Sequence, residues 1–165
     1  MRRRISIFAL IVVLLLAFVG WWYSPTQVLK RRCDSFFNVI SFSEKQAPAA
    51  RHVQALKLAD YLDRDVAISG KKLPEEIESP VSRGEMQAIF SAASDACRFI
   101  AITDRKFEFI GITGDDATVQ ALVKVAIGHP EGDKGFSGTH RLMLSWHRGK
   151  QVWVLTKVAW EKIAP

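Results

Sequence analysis

The sequence predicts an α+β domain carried behind a single membrane-spanning helix, on three observations. An apolar run fills residues 5–23, helix-period apolar stripes follow between Thr26 and Cys97, and four β-rich segments close the chain before Trp160. Those segments are Arg105–Thr113, Ala117–Ile127, Thr139–His147 and Gln151–Trp160, each dense in β-branched or aromatic residues. Thr113-Gly-Asp-Asp, the long loop His129–Gly138 and Arg148-Gly-Lys separate them with turn chemistry. Connections this short favour an antiparallel meander, because parallel neighbours need a crossover of about a dozen residues or more. One face of such a sheet must be covered, and the preceding helices are the material available.

Within residues 5–23 only Ser6 and Gly20 fall outside the apolar set. A helix of that length reaches about 28 Å, against a hydrocarbon core of about 30 Å. Trp21, Trp22 and Tyr23 close the run with amphipathic rings that favour the headgroup level. Arg2, Arg3 and Arg4 before an apolar run also suit a cleaved signal peptide. The bulky pair after Gly20 leaves no well-placed small-x-small cleavage site, which favours an uncleaved anchor. The arginine triplet then keeps residues 1–4 in the cytoplasm and sends residues 26–165 outward from the cell membrane, into the periplasm if the cell is Gram-negative.

Ser24-Pro25 breaks the leader, after which Leu29, Cys33, Phe36, Phe37 and Ile40 recur at helical spacing to about Phe42. Lys30-Arg31-Arg32 near its start suits either anionic lipid or a solvated face. Pro48 suits the first turn of a second helix through Val53, Leu56, Ala59 and Leu62. Val66–Ser69 reads as a short strand and Gly70–Pro80 as a loop rich in proline and glutamate. Ser82-Arg-Gly-Glu85 is a capping box, followed by one apolar stripe of Met86, Ile89, Phe90, Ala93 and Cys97.

At 165 residues, 48% hydrophobic and 24% charged, the chain is one domain plus an appendage. The net charge of +6 includes the arginine triplet; without it 20 Lys+Arg face 17 Asp+Glu, a balance of +3. The remaining cations are interspersed with acids and form no basic-aromatic stripe, so no nucleic-acid partner is expected. Cys33 and Cys97 lack metal spacing; two separately buried thiols are favoured, and a single disulfide stays open in an extracytoplasmic domain.

This element order, with Tyr61-Leu-Asp-Arg-Asp-Val-Ala-Ile-Ser leading to Ser82-Arg-Gly-Glu-Met-Gln-Ala-Ile-Phe and the closing Arg148-Gly-Lys-Gln-Val-Trp-Val-Leu-Thr-Lys-Val-Ala-Trp, resembles the nuclear transport factor 2-like superfamily, which includes SnoaL-like polyketide cyclases and ketosteroid isomerase. The resemblance implies a cone-like curved antiparallel sheet, here a short first strand plus the four-strand meander, packed on three helices. It also implies a pocket between sheet and helices, for which Phe36, Phe37, Phe90, Trp146 and Trp153 are the expected lining. Family members use that pocket for isomerisation, dehydration or cyclisation, for ligand binding, or as the filled core of dimeric scaffolds. The chain departs from the isomerase pattern: where that enzyme has a first-helix tyrosine and an aspartate after the first strand, this sequence has Phe36, Phe37 and Ser69-Gly70.

The remaining chemistry-bearing candidates are His140 and His147. Strand alternation puts His140 with Leu142, Leu144 and Trp146, and His147 with Arg141, Met143 and Ser145. A pocket histidine with a carboxylate neighbour is a general base at neutral pH; a hydrogen-bonded or solvated histidine is the commoner outcome. No metal-ligand motif, phosphate-cradling glycine motif or nucleophile elbow is present, so no metal and no cofactor is expected. The leading expectation is a non-catalytic module, tethered to the lipid bilayer through residues 5–23, that binds a small apolar ligand or a protein. The alternatives are an isomerase or dehydratase using a pocket histidine, and a scaffold subunit of an envelope complex, similar to the periplasmic scaffold of type IV secretion. A homodimer or an envelope protein would be the partner.

Overall fold

The computed structural model describes residues 2–70, 80–129, 132–150 and 152–163. Most of the loop expected over Gly70–Pro80, and the side chains of Arg2, Arg3 and Arg4, lie outside the described residues. The described chain runs α1 (Arg2–Trp22), α2 (Pro25–Val39), α3 (Pro48–Leu58), a 3₁₀ turn (Ala59–Tyr61), β1 (Leu62–Gly70), β2 (Val81–Ser82), α4 (Arg83–Ala96), β3 (Phe99–Thr113), β4 (Asp116–His129), β5 (Gly132–Gly149) and β6 (Val152–Lys162).

Local chemistry sets these boundaries. Ser24 caps α2, accepting from the Gln27 amide, and Pro25 occupies the first turn, where no amide donor is needed. The capping box at α4 forms as expected: Ser82 accepts from the Glu85 amide, and Glu85 accepts from the Ser82 amide at 2.9 Å. Gly114 turns β3 into β4 at a φ of 61°, a conformation that glycine adopts without a Cβ penalty.

Six strands form one sheet in the order β2-β1-β6-β5-β4-β3. The expected meander is its β3–β6 part, antiparallel throughout. Two expectations need correction. The sheet is not wholly antiparallel, because β1 runs parallel to β6 with Ile68 opposite Val158 and Gly70 opposite Trp160. Short-connection reasoning governs strands that follow one another; β1 and β6 are joined by α4 and four strands, ample for a parallel crossover. The stretch His129–Gly138 is also largely strand: Phe136 pairs with Ile127, Ser137 with Ala126 and Gly138 with Val125. Its glycines suggested a loop, but pairing with the apolar end of β4 overrides that local preference.

Leu29, Cys33, Phe36 and Phe37 of α2 pack on Val119, Ala121, Leu144, Trp146 and Leu155 from the concave face. Trp146 and Phe37 are the largest fully buried side chains, each contributing about 1.5–3 kcal/mol by leaving water. Register shifts at Thr103/Lys106 in β3, Leu62/Ala67 in β1 and Leu155/Lys157 in β6 bend the sheet around this helix. Asp104 takes the left-handed conformation at the first of them, with a φ of 49°.

By contrast, every residue from Ile11 to Trp22 is exposed, so this part of α1 lies outside the core. No single helix among the described residues is long and apolar enough to cross a membrane. Ile11–Trp22 and Pro25–Val39, bent by 55°, meet the length and composition only as a pair. The single span expected over residues 5–23 is therefore not established by the fold.

Arg51 on α3 closes the helical layer. Its Nη1 donates to the carbonyls of Ser94 (2.9 Å) and Cys97 (3.1 Å), and its Nη2 to that of Arg98 (3.1 Å). The guanidinium also sits 4.5 Å from the Phe42 ring centroid. Arg51→Ala leaves the carbonyls at the end of α4 unpaired, and chemical denaturation should show a loss of about 1–3 kcal/mol. A loss under about 0.5 kcal/mol would place Arg51 among ordinary surface residues.

Candidate functional site

The concave face and the helices enclose a cavity of about 300 Å³ whose lining is entirely apolar. Phe36 and Ile40 come from the end of α2, Met86 and Phe90 from α4, and Val158 and Trp160 from β6. Ile89, also in the lining, is 55% exposed and stands at the opening. The helix-period stripe of α4 and the alternation of β6 put these side chains on facing surfaces. At Gly70 a Cβ would come within 2.7 Å of the Trp160 ring, so glycine is what lets the indole lie flat against β1.

Of the expected pocket residues, Phe36 and Phe90 line this cavity. Phe37, Trp146 and Trp153 are buried in the core instead, with the Trp146 ring edge-on to Phe36 at 6.0 Å. Sequence reasoning missed Met86, Ile68, Val158 and Trp160 as lining residues. The signal for Trp160 was available in the alternation of β6, whereas the place of Ile68 depends on the parallel pairing of β1.

Neither histidine lies in the cavity wall. His140 is buried on the concave face, opposite Lys162, and its Nε2 has no hydrogen-bond partner among the described residues. Burial, reinforced by the Lys162 charge, pushes its pKa below the ordinary value. His147 is exposed and its Nδ1 lies 2.8 Å from Asp116 Oδ1; that hydrogen bond raises its pKa. The carboxylate-paired histidine thus faces solvent, and the buried one has no carboxylate hydrogen bond. Among the described residues no group of three or more His, Cys, Asp or Glu is placed to hold a metal ion.

Cys33 and Cys97 are free thiols, and burial pushes Cys33 up to about 12, which makes it a poor nucleophile. Trp21, Trp22 and Tyr23 are all exposed at the end of α1 and just beyond it. Arg31 donates to the Trp22 carbonyl at 2.7 Å and lies 4.3 Å from the centroid of its ring.

No protein-family profile and no curated protein matches the chain. Solved structures do match. A proposed scytalone dehydratase from Novosphingobium aromaticivorans superposes with a TM-score of 0.63 at 8% identity, covering 84% of this chain and 83% of that one. A ketosteroid isomerase-like protein from Erwinia carotovora gives 0.62 at 11% identity over 87% and 99% of the two chains. A proposed dehydratase of the NTF2-like family from Streptomyces avermitilis gives 0.61 at 14% identity over 85% and 96%. Identity this low carries the architecture and nothing of the chemistry, and the architecture is the nuclear transport factor 2-like fold.

The two histidines should titrate on opposite sides of 6.5 in a histidine-resolved NMR titration of the full chain. Protonated His147 stabilises the fold fully below its unfolded pKa, and that contribution fades as pH rises through the raised folded value. Asp116→Asn should bring the His147 midpoint down; an unchanged midpoint would show that the Asp116 contact is not populated in solution.

Proposed function

We propose that this protein is a membrane-tethered, extracytoplasmic binding module that takes a small apolar ligand into the cavity beneath its sheet and performs no chemistry on it. The observation that carries this reading is the cavity itself: about 300 Å³, at the lower end of small-ligand sites, with no titratable side chain among the described residues of its wall. Carbon-acid chemistry needs a base and an oxyanion donor at the substrate. Among the described residues the cavity wall holds no base, and Phe36 stands in it without a hydroxyl.

The tether is part of the same proposal. The apolar leader over residues 5–23, the rings of Trp21, Trp22 and Tyr23 at its end and the arginine triplet at its start support an N-terminus in the cytoplasm and a domain on the far side of the membrane. The exposure of Ile11–Trp22 supports it too, since these side chains find no apolar cover within the protein.

A competing enzymatic reading draws on the dehydratase and isomerase descriptions of the similar structures. It would need His140 or His147 beside the substrate. The exposed His147–Asp116 pair and the partnerless His140 both favour the binding module.

Two measurements test the proposal. In calorimetry of the full chain held in nanodiscs, with empty nanodiscs as the blank, 1-octanol should bind. Ala93→Trp or Ile89→Trp should weaken that binding by about tenfold or more with the melting temperature kept. Octanol binding that ignores both substitutions contradicts the site. The chain should also stay with membranes through alkaline carbonate extraction; release into the supernatant contradicts the tether.

A further inference from the structure

A cavity apolar on every side leaves the polar part of any ligand at its margin, and one stretch of that margin carries nitrogen donors. The lining that β6 supplies, Leu155, Val158 and Trp160, continues along the same face to Lys162, about 7 Å beyond Trp160. On the neighbouring strand Leu142 stands opposite Trp160 and His140 opposite Lys162. The Lys162 ammonium lies 5.6 Å from the centroid of Phe136, and no carboxylate among the described residues forms an ion pair with it. His140 lies 5.5 Å from that same ring, tilted by 46°, with its buried Nε2 unpartnered among the described residues.

Gly138 lies between the two on β5. A Cβ there would be 3.3 Å from His140 Nε2 and 3.6 Å from Lys162 Cε, so the glycine keeps the space between them narrow yet free of side chain. The same-face neighbours Val123, Val125, Leu142, Val158 and Trp160 are all uncharged. A buried polar nitrogen without a partner calls for an explanation, and an ammonium beside it forms its strongest hydrogen bonds with anionic oxygen.

We infer that the ligand is a single-chain amphiphile with an anionic oxyacid head. Its apolar chain fills the cavity, and its carboxylate or phosphate oxygens meet Lys162 and His140 at the margin. This rests on the binding reading above and names the ligand class of that same cavity. Neutral His140 donates one hydrogen bond without adding charge, and Lys162 supplies the countercharge.

Octanoate, octyl phosphate and 1-octanol, titrated into the nanodisc-held full chain with empty nanodiscs as the blank, separate the two claims. At least one of the anions should bind about tenfold more tightly than octanol. Which anion gains more distinguishes a carboxylate head from a phosphate. Lys162→Gln should bring the ratio to about one, while Lys162→Arg keeps the preference. Equal affinity of all three for the wild-type chain overturns the assigned head group and leaves the apolar site standing. An anion preference that survives Lys162→Gln also overturns it, and failure of all three to bind removes the site together with its ligand class.

Discussion

Bending one sheet far enough to enclose a helix leaves main-chain carbonyls without strand or helix partners, and guanidinium groups meet that demand here. Arg51 serves the end of α4 and the turn before α3, donating to six carbonyls in all. Arg105 serves the β3 bend, where its Nε donates to the Ile102 carbonyl at 3.0 Å and its Nη1 to Asp34 and Asn38 of α2. Arg32 ties α2 to the carbonyls of Trp153 and Asp60. Each guanidinium also lies over an aromatic ring, Phe42, Phe37 or Tyr61 in turn. None of the three forms an ion pair among the described residues, so their role is to satisfy backbone. A planar group with several fixed donors does this where lysine, with one compact charge, does not.

The same bending creates the cavity. A flat sheet would press its whole inner face against α2, but the bulges in β1, β3 and β6 carry β1, β6 and the start of β3 around the end of that helix. Phe36 and Ile40 then form one wall, and Val158 and Trp160 the other. Polar groups are excluded from the wall for the reason they are excluded from any core: those strand faces are the ones the alternation assigns to apolar residues. The inside of the cavity thus offers apolar contact, and charged groups among the described residues stand only beyond its lining.

Much of the fold could be read in the sequence because its signals were local. The capping box of Ser82 and Glu85, the Pro25 and Pro48 starts, and the alternation in β4 to β6 each depend on a few adjacent residues. What escaped depended on partners distant along the chain. The parallel β1–β6 pair joins residues more than 85 positions apart, and the pairing of Gly132–Gly138 with the end of β4 overrides glycine-rich composition. For the site, Phe36 and Phe90 were named through the family resemblance, while helical periodicity marked them only as apolar faces. Phe37 lies next to Phe36 in sequence but is turned by the helix into the core, and Trp146 and Trp153 face α2 through the same packing. The three arginines were not legible at all, since nothing in Arg32, Arg51 or Arg105 as a residue type marks which carbonyls will lack partners.

The most direct measurement is native mass spectrometry of the full chain released gently from the membranes in which it was made. The bound fraction should carry a single small molecule per chain, which organic extraction identifies as apolar along most of its length and which Ala93→Trp eliminates. A chain that appears only at its own mass, or one whose adduct is a polar metabolite unaffected by Ala93→Trp, would contradict the cavity as the functional site.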